Sequence, residues 1–286
     1  MSKESMEKII EEVRNIPPLP AVVVKVIALT RDSNTSANDL NRVISLDPAL
    51  TANLLKLCNS AYYGLPRVVS SITQAVMYLG FHTVRNLVLT STMSDFLARD
   101  VSGYGYAKGG LWQHSVAVAV GAEQLCKRLR PGLQDVAFTA GLIHDIGKVV
   151  LSRFVADAWD DIRGYMEKNN VPFMEAERQI LGFDHALLGA KIADTWNFPQ
   201  ELVNSIGYHH KPEDAKGRPL LSVIVHLADV AALQMGYGLG YDGLMYPLSE
   251  YAVRTANMSQ KDMEELYATL EESMKNATSF LEISAN

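Results

Sequence analysis

Five histidines and two aspartates follow one another along the chain as His114, His144-Asp145, His185, His209-His210 and Asp229. The sequence holds seven histidines in all, so this series takes most of them. Imidazole and carboxylate are the ligands of borderline divalent metals. A single histidine in an apolar helix is usually hydrogen-bonded core, so the argument rests on seven donors placed together. His144-Asp145 lies in Gly141-Leu-Ile-His-Asp-Ile-Gly-Lys148, within an apolar stretch that runs from Val136 to Val150. A carboxylate buried there costs on the order of several kcal/mol unless a cation or a hydrogen-bond network compensates it. Lys148 is near, but three residues from Asp145 it need not face the carboxylate. A divalent cation compensates far better.

The chemistry follows from that placement. The donors fall on five expected helices, so they can meet only at the centre of a bundle, where two-metal sites are built. Two ions need a bridging carboxylate, and Asp145 is the natural one. Water shared between such ions has a lowered pKa and can attack phosphorus in line. Lys148 could neutralise phosphate oxygens. Asp145 and Lys148 are therefore the candidate catalytic residues. His226, one turn before Asp229, reads as support or core rather than as a ligand.

Helical periodicity dominates the elements that must position these groups, and no stretch alternates with period two. Helices are expected over 4–14, 21–30, 37–44, 49–58, 72–79, 83–97, 111–129, 133–146, 158–169, 173–181, 185–196, 200–208, 220–235 and 260–282. Ser36, Asp47 and Asp184 are suited to cap three of them, and Pro17-Pro18 must stop the first. The fold class is all-α. The glycine-rich break over 99–110 predicts two helical subdomains, 1–105 and 106–286, the second a helical bundle carrying the donors. The run Gly236-Tyr-Gly-Leu-Gly240 lacks a preceding strand, so it reads as a plain loop rather than a phosphate cradle. His82 has no place in the series and reads as a surface or turn residue.

Composition narrows the function classes. The chain has 286 residues, 48% of them hydrophobic, enough for one large core or two smaller ones. Net charge is −6 and no long basic tract occurs, which argues against a nucleic-acid surface. No apolar run can span a bilayer, since the best candidate, 220–235, contains His226 and Asp229. The polar N-terminus lacks a signal core, so no membrane partner and a cytoplasmic location are expected. Cys58 and Cys126 have no close partner and read as buried free thiols.

The series His…His-Asp…His…His-His…Asp resembles the HD superfamily of metal-dependent phosphohydrolases, and more closely its HDOD branch of bacterial signalling proteins. Ile16-Pro-Pro-Leu-Pro20 with Lys25 is similar to the opening signature of that branch. Residues 45–64, ending in Asn59-Ser-Ala-Tyr-Tyr-Gly64, match its most specific stretch, and 71–80 continue it. Leu142-Ile-His-Asp-Ile-Gly-Lys148, then 181–199 and Tyr208-His-His210, complete the likeness, which covers roughly residues 12–235. The resemblance implies that His114, His144, Asp145 and Asp229 hold one divalent transition metal ion. Asp145, His185, His209 and His210 would hold a second, and Fe, Mn, Ni, Co and Zn all suit such donors.

Two departures separate the chain from the related HD-GYP enzymes, which cleave cyclic di-GMP. Gly217-Arg-Pro219 stands where Gly-Tyr-Pro would, and Gly110, one turn before His114, is not a carboxylate. Neither a third ion nor cyclic di-GMP is expected. In the Asn59–Tyr63 stretch, Asn59 and Ser60 should turn the chain while Tyr62 and Tyr63 pack between the halves. The first expectation for function is a regulatory, signal-transducing protein that binds metal and acts through a separate signalling partner. The second is a dinuclear phosphohydrolase acting on a nucleotide or phosphodiester, and the third a structural metal clasp. The exposed face of the N-terminal half and the helix over 260–282 are the expected places for a partner.

Overall fold

The computed structural model describes residues 11, 12, 16–217, 219–241, 243 and 246–282. The helix expected over 4–14 lies outside the described residues except for 11 and 12, which are helical. The described residues are helical without any strand. The all-α expectation is therefore met.

The chain forms two compact units, and a single cut does not separate them. One unit holds Leu97–Leu270 with the described residues before Pro18; the other holds Pro18–Phe96 and the chain from Glu271 on. The expected division at 105 thus misses in two places. The crossover comes at Leu97, and the last part of the C-terminal helix joins the N-terminal unit. Its apolar face, with Met274, Ala277 and Phe280 buried, belongs to that unit's core.

The smaller unit contains α1 (Ala21–Leu29), α2 (Ala37–Ile44), α3 (Pro48–Cys58) and α4 (Ile72–Leu97, whose last residue lies across the crossover). Ser36 caps α2 in a reciprocal box with Asp39, and the Asp47 side chain accepts from Leu50 N at 3.0 Å to cap α3. Gly80, at φ 84°, breaks α4 into the two expected helical runs. Asn59 clamps the turn after α3. Its Oδ1 accepts from Val69 N at 2.7 Å and its Nδ2 donates to Val69 O at 2.8 Å. Tyr62 and Tyr63 meet edge-on at 5.0 Å and pack on Phe280 at 5.3 and 6.3 Å. Phe280 does come from the C-terminal end of the sequence, yet all three rings lie within one unit. His82 is exposed and Cys58 is a buried free thiol, both as expected.

The larger unit is built on α5 (Gly110–Leu129), packed along α6 (Gln134–Ile143) and α12 (Leu220–Gln234). Beside these lie α7 (Ile146–Asp157), α8 (Trp159–Asn169), α9 (Phe173–Leu181), α10 (His185–Thr195) and α11 (Gln200–Gly207). After α12 come α13 (Glu250–Thr255), α14 (Gln260–Asn276) and α15 (Thr278–Leu281). From Glu271, partway along α14, the chain belongs to the smaller unit, and so does α15. Glycines set the closest approaches. A Cβ on Gly141 would stand 2.7 Å from Val118 O, and one on Gly147 would stand 2.0 Å from His185 O. Any side chain at either place would push α6 off α5, or α7 off α10.

The helix expected over 133–146 ends early. Helix α6 stops at Ile143 and α7 begins at Ile146, so His144 and Asp145 occupy the junction instead of a helix interior. Successive side chains inside a helix point about 100° apart. A junction lets two neighbours aim at one place. Likewise His209 and His210 follow the end of α11. Of the donors, only His114, His185 and Asp229 lie in helices, not the whole set.

Candidate metal centre

The seven donors converge. His114 comes from α5, His144 and Asp145 from the α6–α7 junction, and His185 from the first residue of α10. His209 and His210 follow α11, and Asp229 comes from the middle of α12. Every one of these side chains is at most 4% exposed.

Asp145 stands at the centre. Its Oδ2 lies 3.6 Å from His114 Nε2 and 3.3 Å from His144 Nε2. Its Oδ1 lies 3.5 Å from His185 Nε2 and 3.6 Å from His209 Nε2. Each oxygen therefore faces a different group of imidazoles. Asp229 Oδ1 is 3.1 Å from His114 Nε2 and 3.8 Å from His144 Nε2, while Oδ2 is 3.7 Å from His210 Nδ1. His210 Nε2 meets His185 Nε2 at 2.8 Å. The donors divide into His114, His144 and Asp229 on one side and Asp145, His185, His209 and His210 on the other, with the donor atoms of each group within 4.8 Å of one another. Donors about 2.1 Å from a shared ion stand at most about 4.2 Å apart, so each group needs only a small contraction to close on an ion.

The far side of three of the rings is held by backbone carbonyls. His144 Nδ1 meets Gly141 O at 2.8 Å, His209 Nδ1 meets Ile206 O at 2.6 Å, and His114 Nδ1 meets Tyr237 O at 3.1 Å. Each carbonyl fixes the Nδ1–H tautomer and leaves Nε2 as a donor pair toward the centre. The glycine-rich run after α12, read as a plain loop, therefore has a task. Gly238, at φ +64°, passes so close to α5 that a Cβ would lie 2.2 Å from Gly110 O, and Tyr237 O beside it orients His114. His226 stays outside the centre, as expected. Its Nδ1 meets His209 O at 2.8 Å, and its Nε2 accepts from Ser249 N at 2.9 Å.

Several groups were not singled out from the sequence. Glu177, fully buried on α9, meets His185 Nδ1 through Oε2 at 2.6 Å and takes the Tyr104 hydroxyl on Oε1. The ring of Tyr246 stacks on that of His210 at 3.7 Å. Glu177 could have been found, because it shares the stripe Phe173, Glu177, Leu181 at helical spacing, where an acid is out of place. Lys148 does face Asp145, contrary to the open expectation. Its Nζ lies 2.7 Å from Asp145 Oδ2 and donates to Tyr106 Oη at 3.2 Å.

Electrostatics follow the burial. Burial disfavours the charged Asp145, but His144, Lys148 and His185 outweigh it and hold its pKa well below the usual carboxylate range. Asp229 is lowered too: burial opposes its charge, and the neighbouring His114 and His144 rings prevail. Burial works against protonated His185, yet Glu177 raises its pKa to about 9. His144 is raised by the Asp145 charge against the same penalty. Burial, then the His144 charge, pushes His209 down to about 3, and burial with His209 lowers His210 well below its ordinary value.

The donor set fits divalent metal. His114 Nε2, His144 Nε2, His209 Nε2, His210 Nδ1, Asp145 Oδ1 and Asp229 Oδ2 are buried and have no hydrogen-bond partner among the described residues. Buried polar atoms are otherwise almost always paired. Six orphans around one point are the pattern that ions would satisfy.

Residues 16–212 match the HDOD domain family. The chain belongs to the HDOD family. It is similar to an uncharacterized protein of Treponema pallidum (strain Nichols), at 27% identity over 221 residues. That match takes in 76% of this chain and 42% of the relative, so the chain spans less than half of that protein's length. Among solved structures, an HDOD domain protein of unknown function from Geobacter sulfurreducens shares the fold at TM-score 0.75 and 24% identity, covering 99% of this chain and 95% of that one. A Shewanella amazonensis protein provisionally designated a phosphohydrolase gives TM-score 0.72 at 24% identity, covering 97% of each chain. A Marinobacter aquaeolei protein provisionally designated as signal-transducing gives 0.75 at 21%, covering 99% of this chain and 66% of that one. No described helix of this HDOD protein is long and apolar enough to cross a membrane.

Proposed function

We propose that this HDOD protein is a bacterial signal-transduction component whose HD-type site binds two divalent transition metal ions. His114, His144, Asp145 and Asp229 hold one ion. Asp145 bridges to a second, held with His185, His209 and His210. The observation that carries this reading is the set of six buried, unpaired donor atoms around Asp145. Fe, Mn, Ni, Co and Zn all suit histidine-rich sites with carboxylate.

Regulation, rather than turnover, is favoured by enclosure. No donor side chain is more than 4% exposed, which disfavours access of a phosphodiester to the ions. The protein would act in the cytoplasm through a separate signalling partner, with no nucleic acid or membrane as its target. Metal analysis of the purified protein, together with a generic phosphodiester assay, tests this. About two ions per chain without turnover supports it. Absence of bound ion after reconstitution with Mn²⁺ or Fe²⁺ sinks it.

One observation favours a second reading, a metal-dependent phosphohydrolase. Lys148 is buried with its ammonium 2.7 Å from the bridging carboxylate, where it could also meet a phosphate oxygen. Divalent ions in such a pair lower the pKa of bound water and polarise a phosphoryl oxygen. Asp145 would hold the pair, and Lys148 would offset charge on the phosphoryl oxygens of a nucleotide or phosphodiester. Steady hydrolysis that disappears in Asp145→Ala would decide for it. The structural clasp, the third reading, predicts that His144→Ala lowers the melting temperature and leaves partner and substrate binding unchanged.

A further inference from the structure

The two donor groups are not electrically alike. The first has Asp229 as well as a share of Asp145. The second has three imidazoles and only its share of Asp145. Three of the five rings are oriented by backbone carbonyls, at Tyr237, Gly141 and Ile206. His185 alone among these has a carboxylate behind it, since its Nδ1 meets Glu177 Oε2 at 2.6 Å and its amide reaches the same oxygen at 3.4 Å.

From this asymmetry we infer that Glu177 is the positioning residue for the second ion, supplying through the His185 ring the negative charge that this donor group lacks. The inference rests on the two-metal reading above and assigns a role within it. A carboxylate on the outer nitrogen fixes the ring and raises the basicity of the inner one. The geometry is well braced. Tyr104 donates its hydroxyl to Glu177 Oε1 and stands edge-on to His185 at 6.1 Å. Tyr104 ends a short 3-10 turn, Ser102–Tyr104, whose Gly103 N donates to Ser152 Oγ at 3.2 Å. A Cβ on Gly103 would stand 1.8 Å from Ser152 O, so the turn is seated against α7. Tyr104, Glu177 and His185 therefore form one buried line that ends at the second group. Among the described residues, backbone carbonyls and not a carboxylate stand behind His114 and His144.

The test is ion-by-ion binding to the full chain. Wild type, Glu177→Gln, Glu177→Asp and Tyr104→Phe are dialysed against graded Mn²⁺, bound metal is counted, and the manganese resonance spectrum separates coupled pairs from isolated ions. The first ion should bind all four proteins equally. The second should bind E177Q about 10–100-fold more weakly, with the coupled signal replaced by that of an isolated ion. E177D should recover part of the loss, and Y104F should show a smaller one. Two ions bound to E177Q at wild-type affinities would overturn the role of Glu177 and leave the two-metal reading standing. A wild type that binds no ion would overturn both. Should E177Q not fold, E177D and Y104F carry the test, and unchanged second-ion affinity in both would overturn the inference.

Discussion

The interiors of the two units differ in kind. In the larger unit Asp145, Lys148, Glu177, Asp184 and Asp229 are all buried, along with His114, His144, His185, His209 and His226. In the smaller unit the buried polar residues are uncharged: Thr30, Ser60, Asn86, Thr90, Ser91 and Ser94. Its core is otherwise Val23, Leu40, Ile44, Leu54, Leu57, Ile72 and their neighbours. Burying five ionisable acid or lysine side chains in one half is expensive unless something compensates them. The smaller unit shows that a helical unit of this chain can be completed without any such charge. Asp184 is answered by Arg178 and by the N-terminus of α10, whereas Asp145 and Asp229 lie within the candidate metal centre.

The largest expected effect strikes the charged interior. Asp145→Ala removes the carboxylate that faces both imidazole groups and leaves Lys148 without the oxygen it meets at 2.7 Å. Bound metal should fall from about two ions per chain to near zero. Metal-free stability should fall as well, by about 3–5 kcal/mol, the usual cost of breaking a buried pair. Metal counting and denaturant titration check the two parts. A variant that retains both ions would erase the distinction between the interiors.

The matching change in the apolar interior is Leu54→Ala. Leu54 is fully buried in α3, so its loss should cost about 2–5 kcal/mol through transfer and cavity. Metal content per folded chain should not change. Denaturation followed together with metal content measures this, and a loss of ions in L54A would show the two interiors to be coupled.

A third effect is a slope with pH. In the metal-free centre His144 has a raised pKa, and Glu177 lifts His185 to about 9 against its burial. A metal ion must displace those protons, since only the neutral ring coordinates. Affinity should therefore rise with pH until about 9 and fall as pH drops below it. Each proton displaced is worth up to about tenfold per pH unit. Calorimetry in buffers of different ionisation heat counts the protons released. An affinity flat between pH 6 and 9 would contradict the charged state assigned to the centre.

What the sequence revealed and what it hid follow from the same contrast. The donors were legible because histidine is scarce and because carboxylate in an apolar run calls for an explanation. Their aim was not legible. Periodicity ran one helix through His144 and Asp145, while the chain breaks there so that both can face one point. Glu177 was hidden because an acid in an amphipathic helix is ordinarily on its wet face, and only its register with Phe173 and Leu181 says otherwise. The fate of the C-terminal helix was hidden for another reason. An apolar stripe shows that α14 covers a core without saying which, and its end at Met274, with Phe280 of α15, completes the smaller unit.

The smallest effect is one on which the two units should agree. Each has one buried thiol, Cys58 in the smaller and Cys126 in the larger, and neither is bridged. Burial, ahead of any hydrogen bond, pushes Cys58 up to about 12 and Cys126 up to about 11. A thiol whose folded pKa is raised contributes fully below its unfolded pKa, near 9, and loses that contribution as pH climbs toward the folded one. Between pH 9 and 10.5, each cysteine should steepen the fall in stability by up to about 1.4 kcal/mol per pH unit. Cys58→Ala and Cys126→Ala should each flatten that fall by a similar amount, read from denaturant midpoints across the range. Desolvation of a neutral thiol needs no ion, so the charged interior gives Cys126 no special treatment. Iodoacetamide labelling of either native thiol at pH 8, at the rate of a free one, would show that its burial had been misjudged.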